Sequence, residues 1–396
     1  MALRSFVLSL LLALATASAT TADEPALFPL MAWGAAPSDP GALRQMRECG
    51  LTIAGFAAPA ALDAIHAAGL KAIINDPRVS GYDWTNVDET TARSKIAALL
   101  SETGKHPAVF GYYLRDEPPA SFFPGLAKVS ALIRELAPGK WPYINLFPNY
   151  ATAGQLAAPD YAAYLDQFIA TCKPTTLSYD HYALLDNDSL REGYWLNLEQ
   201  LAAASKRHGI PFWNIVLTVA HFNYREPTPA DLRFQAYSTL LYGGRGISYF
   251  TYIAPSVGNY RMAPIDQFGN PTDTWNALRN ANLQVLKLAP TFLQLRWNDA
   301  YHFGAVPAGS HAPTEQALVR NIAGQMAVGD FTHPDGTRYV LVLNKDLKKS
   351  MPCSVQFRTA PKKVELVSAY TGQLVPFQGE QVWLAPGQGV LLKLIP

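Results

Sequence analysis

The sequence is short of several features that mark whole functional classes. Its 396 residues include three cysteines, Cys49, Cys172 and Cys353, too few and too scattered for a disulfide framework or a zinc site. Being odd in number, they leave at least one thiol free or paired to another chain. Charge of one sign is also missing, because 32 Lys+Arg face 31 Asp+Glu for a formal net charge of +1. Readers of nucleic acid usually carry a clear basic excess, so a nucleic-acid partner is not expected. Charged residues make up only 16% of the chain and hydrophobic ones 49%, a balance that fills a large core and argues against disorder. His-Glu-x-x-His, Ca²⁺-loop and Cys-pair spacings do not occur, so neither a catalytic metal nor another cofactor is expected. The G-x-S-x-G elbow of serine hydrolases is missing too.

Long hydrophobic runs are scarce after the N-terminus. The exception opens the chain: Arg4 precedes the apolar run Phe6 to Ala15, and Ala17-Ser18-Ala19 supplies the small-x-small pattern of a cleavage site. The run is short for a bilayer span and ends in polar TTADEP, which reads as a signal peptide over residues 1–19. The expectation is therefore a secreted or periplasmic protein with no membrane insertion, folded in an oxidising compartment.

What is present is a repeating alternation. Apolar β-rich runs occur at residues 27–33, 51–57, 70–76, 108–117, 141–147, 175–182, 211–219 and 246–253, separated by helical Ala/Leu-rich stretches. Each run is nearly continuous, as parallel strands covered on both faces tend to be. Successive runs start about 31 residues apart, the size of a right-handed strand–helix–strand unit. Eight such units predict an α/β fold, a (β/α)8 TIM barrel over residues 20–296. A doubly wound open sheet is the rival, but no Gly-rich phosphate loop follows the first run. Beyond residue 296, short alternating runs separated by HPDGT, YTGQ and APGQG predict a C-terminal antiparallel β-sandwich domain over 297–396.

Active sites of such barrels form at the carboxyl ends of the strands. Those ends carry Trp33, Asn75, Asp76, Asp116, Glu117, Asn149, Tyr150, Asp180, His181, Tyr182, Thr218, His221 and Tyr252. Carboxylates interleaved with aromatic rings suit sugars, whose hydroxyls need forked hydrogen bonds and whose C–H faces pack on rings. The most informative stretch is Phe110-Gly-Tyr-Tyr-Leu-Arg-Asp-Glu-Pro118. Strand alternation predicts Tyr113, Arg115 and Glu117 on one face and Tyr112, Leu114 and Asp116 on the other. Pro118 and Pro119 end the strand and hold Glu117 at the rim. A rim Glu beside a second carboxylate should have the raised pKa that a general acid requires. The structural alternative is an ion pair with Arg115.

A barrel with GYYLRDEP at its fourth strand resembles the retaining glycoside hydrolases of clan A, especially the family 42 β-galactosidase-like group. The stretch from Leu232 to Tyr252 is also similar to the helix and eighth strand of those enzymes. The resemblance implies an O-glycosyl hydrolase acting on an oligo- or polysaccharide, with Glu117 as acid/base and Asp116 contacting the sugar. It also implies a nucleophilic Glu at the end of the seventh strand, yet PFWNIVLTVAH carries no carboxylate. Asp180 at the end of the sixth strand, as nucleophile or as the base of an inverting pair, and Glu226 in the loop after the seventh strand, as nucleophile, are the candidates. Alternatively, Asp116 and Glu117 act as the adjacent pair of a substrate-assisted hexosaminidase, or the protein is a carbohydrate-binding protein on a degenerate barrel. Asp76, Trp33, His181, Tyr182, His221 and Tyr252 are candidate sugar contacts, and Trp84 a candidate platform, with capping or core packing as the alternative for each.

Overall fold

The computed structural model describes residues 27–396, so the predicted signal segment lies outside the described residues. Eight parallel strands form one sheet: β1 Leu30–Ala32, β2 Ile53–Ala57, β3 Lys71–Ile74, β4 Val109–Asp116, β5 Trp141–Asn145, β6 Leu177–Asp180, β7 Phe212–Leu217 and β8 Gly246–Phe250. Each falls inside one of the eight apolar runs. The order β5-β4-β3-β2-β1-β8-β7-β6 leaves β5 and β6 at the seam. There a Leu146–Tyr179 bridge and a bond from the Leu146 amide to the Ser178 carbonyl (2.8 Å) draw the two ends together. The sheet is thus a TIM-like barrel.

Helices lie between the strands: α1 Pro40–Glu48, α2 Leu62–Ala67, α3 Pro77–Ser80, α4 Glu89–Thr103, α5 Phe123–Leu136, α6 Ala153–Leu156, α7 Tyr161–Cys172, α8 Tyr194–His208, α9 Pro229–Leu241 and α10 Asp273–Phe292. Their starts are written in the sequence. Asp39, Asp88, Asp160, Thr228 and Thr272 each accept a bond from a backbone N–H in the first turn of the helix that follows, satisfying donors that have no intrahelical partner. None of the described helices is long and apolar enough to cross a membrane.

The barrel interior is aromatic. Phe110, Trp141 and Trp213 pack together at 4.7–5.9 Å between ring centroids. Trp33, Phe56, Tyr113 and Tyr143 make a second group at 4.3–6.5 Å. The Trp213 indole fits because residue 246 on the neighbouring strand is glycine; a Cβ there would lie 2.5 Å from Trp213 Nε1.

After α10 the chain turns to antiparallel pairing. The strands are β9 Arg296–His302, β10 Val319–Ile322, β11 Met326–Thr332, β12 Arg338–Asn344, β13 Met351–Pro352, β14 Val355–Phe357, β15 Lys363–Val367, β16 Leu374–Pro376, β17 Trp383–Leu384 and β18 Gly389–Ile395. Six form a sheet in the order β16-β15-β18-β12-β11-β9, while β10–β14 and β13–β17 form two ribbons. Val328, Val340, Val342 and Leu392 on one sheet face pack with Val319, Ile322 and Leu384 of the ribbons and with Cys353 between β13 and β14. The opposite face, with Ala327, Leu341, Leu343 and Leu391, merges with Phe234, Tyr237, Leu241 and Phe292 of α9 and α10 in the barrel's own core cluster. Glycine permits this close approach: a Cβ at Gly329 would collide with the Leu241 carbonyl, and one at Gly389 with the Tyr237 ring.

All three cysteines are free and buried. Burial raises the thiol pKa of each, so none is offered at the surface for pairing with another chain.

Candidate active site

The fourth strand does not alternate simply. One register irregularity against β3 falls between Val109 and Gly111, and another against β5 falls between Tyr113 and Arg115. Each extra residue re-aims the strand. As a result Phe110 and Tyr113 pack in the interior, Tyr112 and Leu114 join the outer core, and Arg115 is exposed. This corrects the two-face pattern predicted from sequence: Asp116, not Arg115, follows Tyr113 into the barrel. The Arg115 guanidinium lies 5.7 Å from the Phe122 ring centroid instead of forming an ion pair.

Pairing then aligns three strand ends. Asp116 is the register partner of Asn145, and the Leu146–Tyr179 bridge brings Asp180 alongside. Asn145, 1% exposed, donates from Nδ2 to Asp116 Oδ1 (3.0 Å) and to Asp180 Oδ1 (2.9 Å). Its Oδ1 accepts from Ser178 Oγ at 3.0 Å, and that hydroxyl lies 2.8 Å from the Tyr143 hydroxyl. The two carboxyl oxygens, which need donors, fix which way the amide points, and the Ser178 hydroxyl is free to donate to the remaining Oδ1.

Glu117 completes the cluster. Its backbone N–H donates to the Asn145 carbonyl at 2.9 Å, and its φ of 41° is left-handed, an uncommon state for a side-chain-bearing residue and one associated with functional sites. Its carboxyl neighbours the carboxyls of both Asp116 and Asp180. Burial, and then the neighbouring Asp116, push the Glu117 carboxyl up to about 7. Asp180 is raised well above the usual carboxylate range by burial, with Glu117 and Asp116 adding to it. Asp116 is raised as well, again chiefly by burial. Among the described residues no ion pair involves any of the three. Three carboxyls crowded together without an ion-pair partner disfavour one another's ionisation, and among charged groups only the field of Arg115 on Asp116 opposes this.

The other candidates are dispersed. Glu226 is exposed and paired with Arg261 (3.2 Å). Asp76 accepts from the Arg78 amide and guanidinium and caps α3. His181 is 0% exposed, with Nδ1 3.1 Å from Asn197 Oδ1; burial depresses its pKa to about 4, so it is neutral at pH 7. Tyr182 and His221 pack with Tyr224 and Phe250 beside the mouth. Trp33 belongs to the interior aromatic group, and Tyr252 and Trp84 are buried at 2% and 3% exposure; the Tyr252 hydroxyl accepts from Trp275 Nε1.

Sequence reasoning passed over Asn145, although it ends the apolar core of WPYINLF and is the polar residue among Trp141–Leu146. It also gave no role to Arg191, which follows β6 and stacks on Tyr150.

No protein-family model matches the chain, and no curated protein sequence matches it. Solved structures do. A glycoside hydrolase family 5 protein from Bacteroides vulgatus superposes with a TM-score of 0.59 at 13% identity, covering 93% of this chain and 90% of that one. A second glycoside hydrolase gives 0.56 at 11% identity over 93% and 92%. The fold is one that glycoside hydrolases use. A β-galactosidase from the psychrophilic Marinomonas ef1 gives 0.50 at 13% identity, covering 66% of this chain and 60% of that one. The first two matches extend through the C-terminal sheets as well as the barrel.

Proposed function

We propose that the protein is an exported glycoside hydrolase in which Glu117 protonates the departing glycosidic oxygen. One observation carries this reading: a half-buried carboxyl at the strand-end mouth, raised to about 7, whose side-chain partner is another carboxyl rather than a cation. Near pH 7 such a group holds a transferable proton, which is what a general acid needs. Asp116, held by Asn145, is the carboxyl placed to face the positive charge of an oxocarbenium-like transition state, while Asp180, whose burial favours its protonated form, stands beside Glu117. The resemblance of GYYLRDEP to the family 42 group supports the same role for Glu117. The N-terminal segment supports export.

The proximity of Glu117 and Asp180 favours a second reading of the mechanism. Carboxyl groups stand about 5–5.5 Å apart in retaining glycosidases and about 6.5–9.5 Å in inverting ones. The mutual influence of the Glu117 and Asp180 side chains fits a shared proton better than a separated acid and nucleophile. Asp180 then acts as the proton partner of Glu117, and the substrate's own N-acetyl group supplies the nucleophile beside Asp116.

The test is a panel of aryl glycosides, with and without a 2-acetamido group, given to the wild-type chain and to Glu117→Gln. Proton NMR follows the first anomer released. Hydrolysis by wild type that Glu117→Gln lacks is expected. Equal hydrolysis by both would reject the assignment, and turnover of plain glycosides would remove the substrate-assisted route.

A further inference from the structure

Three arginines occupy the loops that follow β6, β7 and β8 at the barrel mouth: Arg191, Arg225 and Arg261. Two are neutralised within the protein. Arg225 Nη2 lies 2.6 Å from Asp231 Oδ1, and Arg261 Nε lies 3.2 Å from Glu226 Oε1. Arg191 has no carboxylate in ion-pair range among the described residues. Neutral groups hold it instead. Its Nε donates to the Tyr182 carbonyl (3.2 Å) and its Nη2 to the Tyr224 hydroxyl (2.9 Å). The guanidinium lies 4.6 Å from the Tyr150 ring centroid and 5.3 Å from that of Tyr224. Among the described residues two of its five N–H donors are engaged, and Nη1 has no partner there. The charge is therefore oriented without being neutralised, the condition for recognising an anion.

Its place relative to the carboxyl cluster gives the position of that anion. The Tyr150 hydroxyl is subject to the fields of Asp180, Glu117 and Arg191 alike, and the Tyr150 ring is 40% exposed at the mouth. The geometry agrees: the Tyr150 ring lies 4.6 Å from the Arg191 guanidinium on one hand and 5.0 Å, centroid to centroid, from the ring of His181, the residue after Asp180, on the other. An anionic group placed directly at the cluster would meet three carboxyls; the same group displaced across Tyr150 would meet a guanidinium.

Resting on the saccharide-cleft reading above, we propose that the cleft takes a glycan bearing an anionic substituent, a uronate carboxylate or a sulfate ester, and that Arg191 binds that substituent. The sugar at the scissile bond is the neutral one, and the charged unit lies beyond Tyr150.

Titration calorimetry on the full chain carrying Glu117→Gln tests this without turnover. The probes are glucurono-, galacturono- and mannurono-trisaccharides, their carboxyl-reduced neutral counterparts, and a 6-sulfated galactose trisaccharide. At low salt at least one anionic probe should bind roughly ten- to a hundredfold more tightly than its neutral counterpart, the range for a charge-assisted hydrogen bond. That ratio should fall to near one in Arg191→Gln and survive in part in Arg191→Lys, whatever either variant does to both affinities in common. Whether the uronates or the sulfated sugar show the preference identifies the source of the anion. Equal affinity for charged and neutral probes, a ratio unchanged by Arg191→Gln, or no binding by any probe overturns the proposal. Charge preference in a wild-type protein that hydrolyses nothing would sink the catalytic reading alone, whereas hydrolysis of neutral glycans without charge preference would sink this one alone.

Discussion

The C-terminal sheet and the barrel mouth each bury an acid that has no cation for a partner, and the contrast between them separates structure from chemistry. In the C-terminal sheet Asp330 is 3% exposed, and burial raises its pKa to about 6. Both of its oxygens are engaged by fixed donors: the Tyr301 hydroxyl at 2.9 Å and the Leu318 amide at 3.0 Å. At the barrel mouth Glu117 is raised to a similar degree, but its side-chain partner is the carboxyl of Asp180. Burial and a raised pKa are therefore common to both and diagnose neither. The difference is that Asp330 is saturated by donors, which need an acceptor and favour the anion, whereas Glu117 meets another acid and keeps a proton to give.

The largest effect expected is on turnover. Glu117→Gln should lower kcat by about 10²–10⁴-fold, the usual contribution of a positioned general acid, while Asp330→Ala leaves kcat unchanged; steady-state kinetics on the two variants measures the contrast. Next comes pH. As the proposed general acid Glu117 would act only when protonated, and burial and Asp116 push its carboxyl up to about 7, so turnover should fall as pH rises through that value, by about tenfold per pH unit beyond it. A flat rate from pH 6 to 9 would erase the distinction from Asp330.

Asp330→Ala should instead cost stability, roughly 2–4 kcal/mol, since it strands buried donors; urea unfolding at pH 7 reads it. The smallest effect concerns Glu117 and stability. Its folded pKa is raised above the unfolded value, so the native state binds more protons between about pH 4.5 and 7. The stability it contributes is complete below that window and is lost as pH rises through it. Glu117→Gln, neutral at every pH, should therefore melt higher than wild type at pH 8 and show no such gain at pH 4. An identical Tm difference at both pH values would mean that the carboxyl is ordinarily solvated.

Much of the barrel was legible because parallel strands buried on both faces must be apolar throughout. Each of the eight runs, from Leu30–Ala32 to Gly246–Phe250, contains its strand for that reason. Strand β9 escaped notice because Arg296-Trp-Asn-Asp-Ala-Tyr-His302 is polar and partly exposed at a sheet edge, where the apolar requirement relaxes. The site was legible in part. Asp116, Glu117 and Asp180 stand at strand ends, but what groups them is Asn145, a single amide on the strand between. Nor does a two-residue period foresee two bulges in β4, which turn Asp116 inward and Arg115 outward.

The glycine contacts between the C-terminal sheet and α9 bear on how this molecule comes apart. Gly329 and Gly389 let the sheet settle directly onto Leu241 and Tyr237, and the apolar residues on both sides form one continuous cluster. Cutting the chain near residue 296 would strip the helix that leads into β8 of its cover and wet the wall behind that strand. Barrel and sheet accordingly hold water out jointly, and heat should release them in a single step.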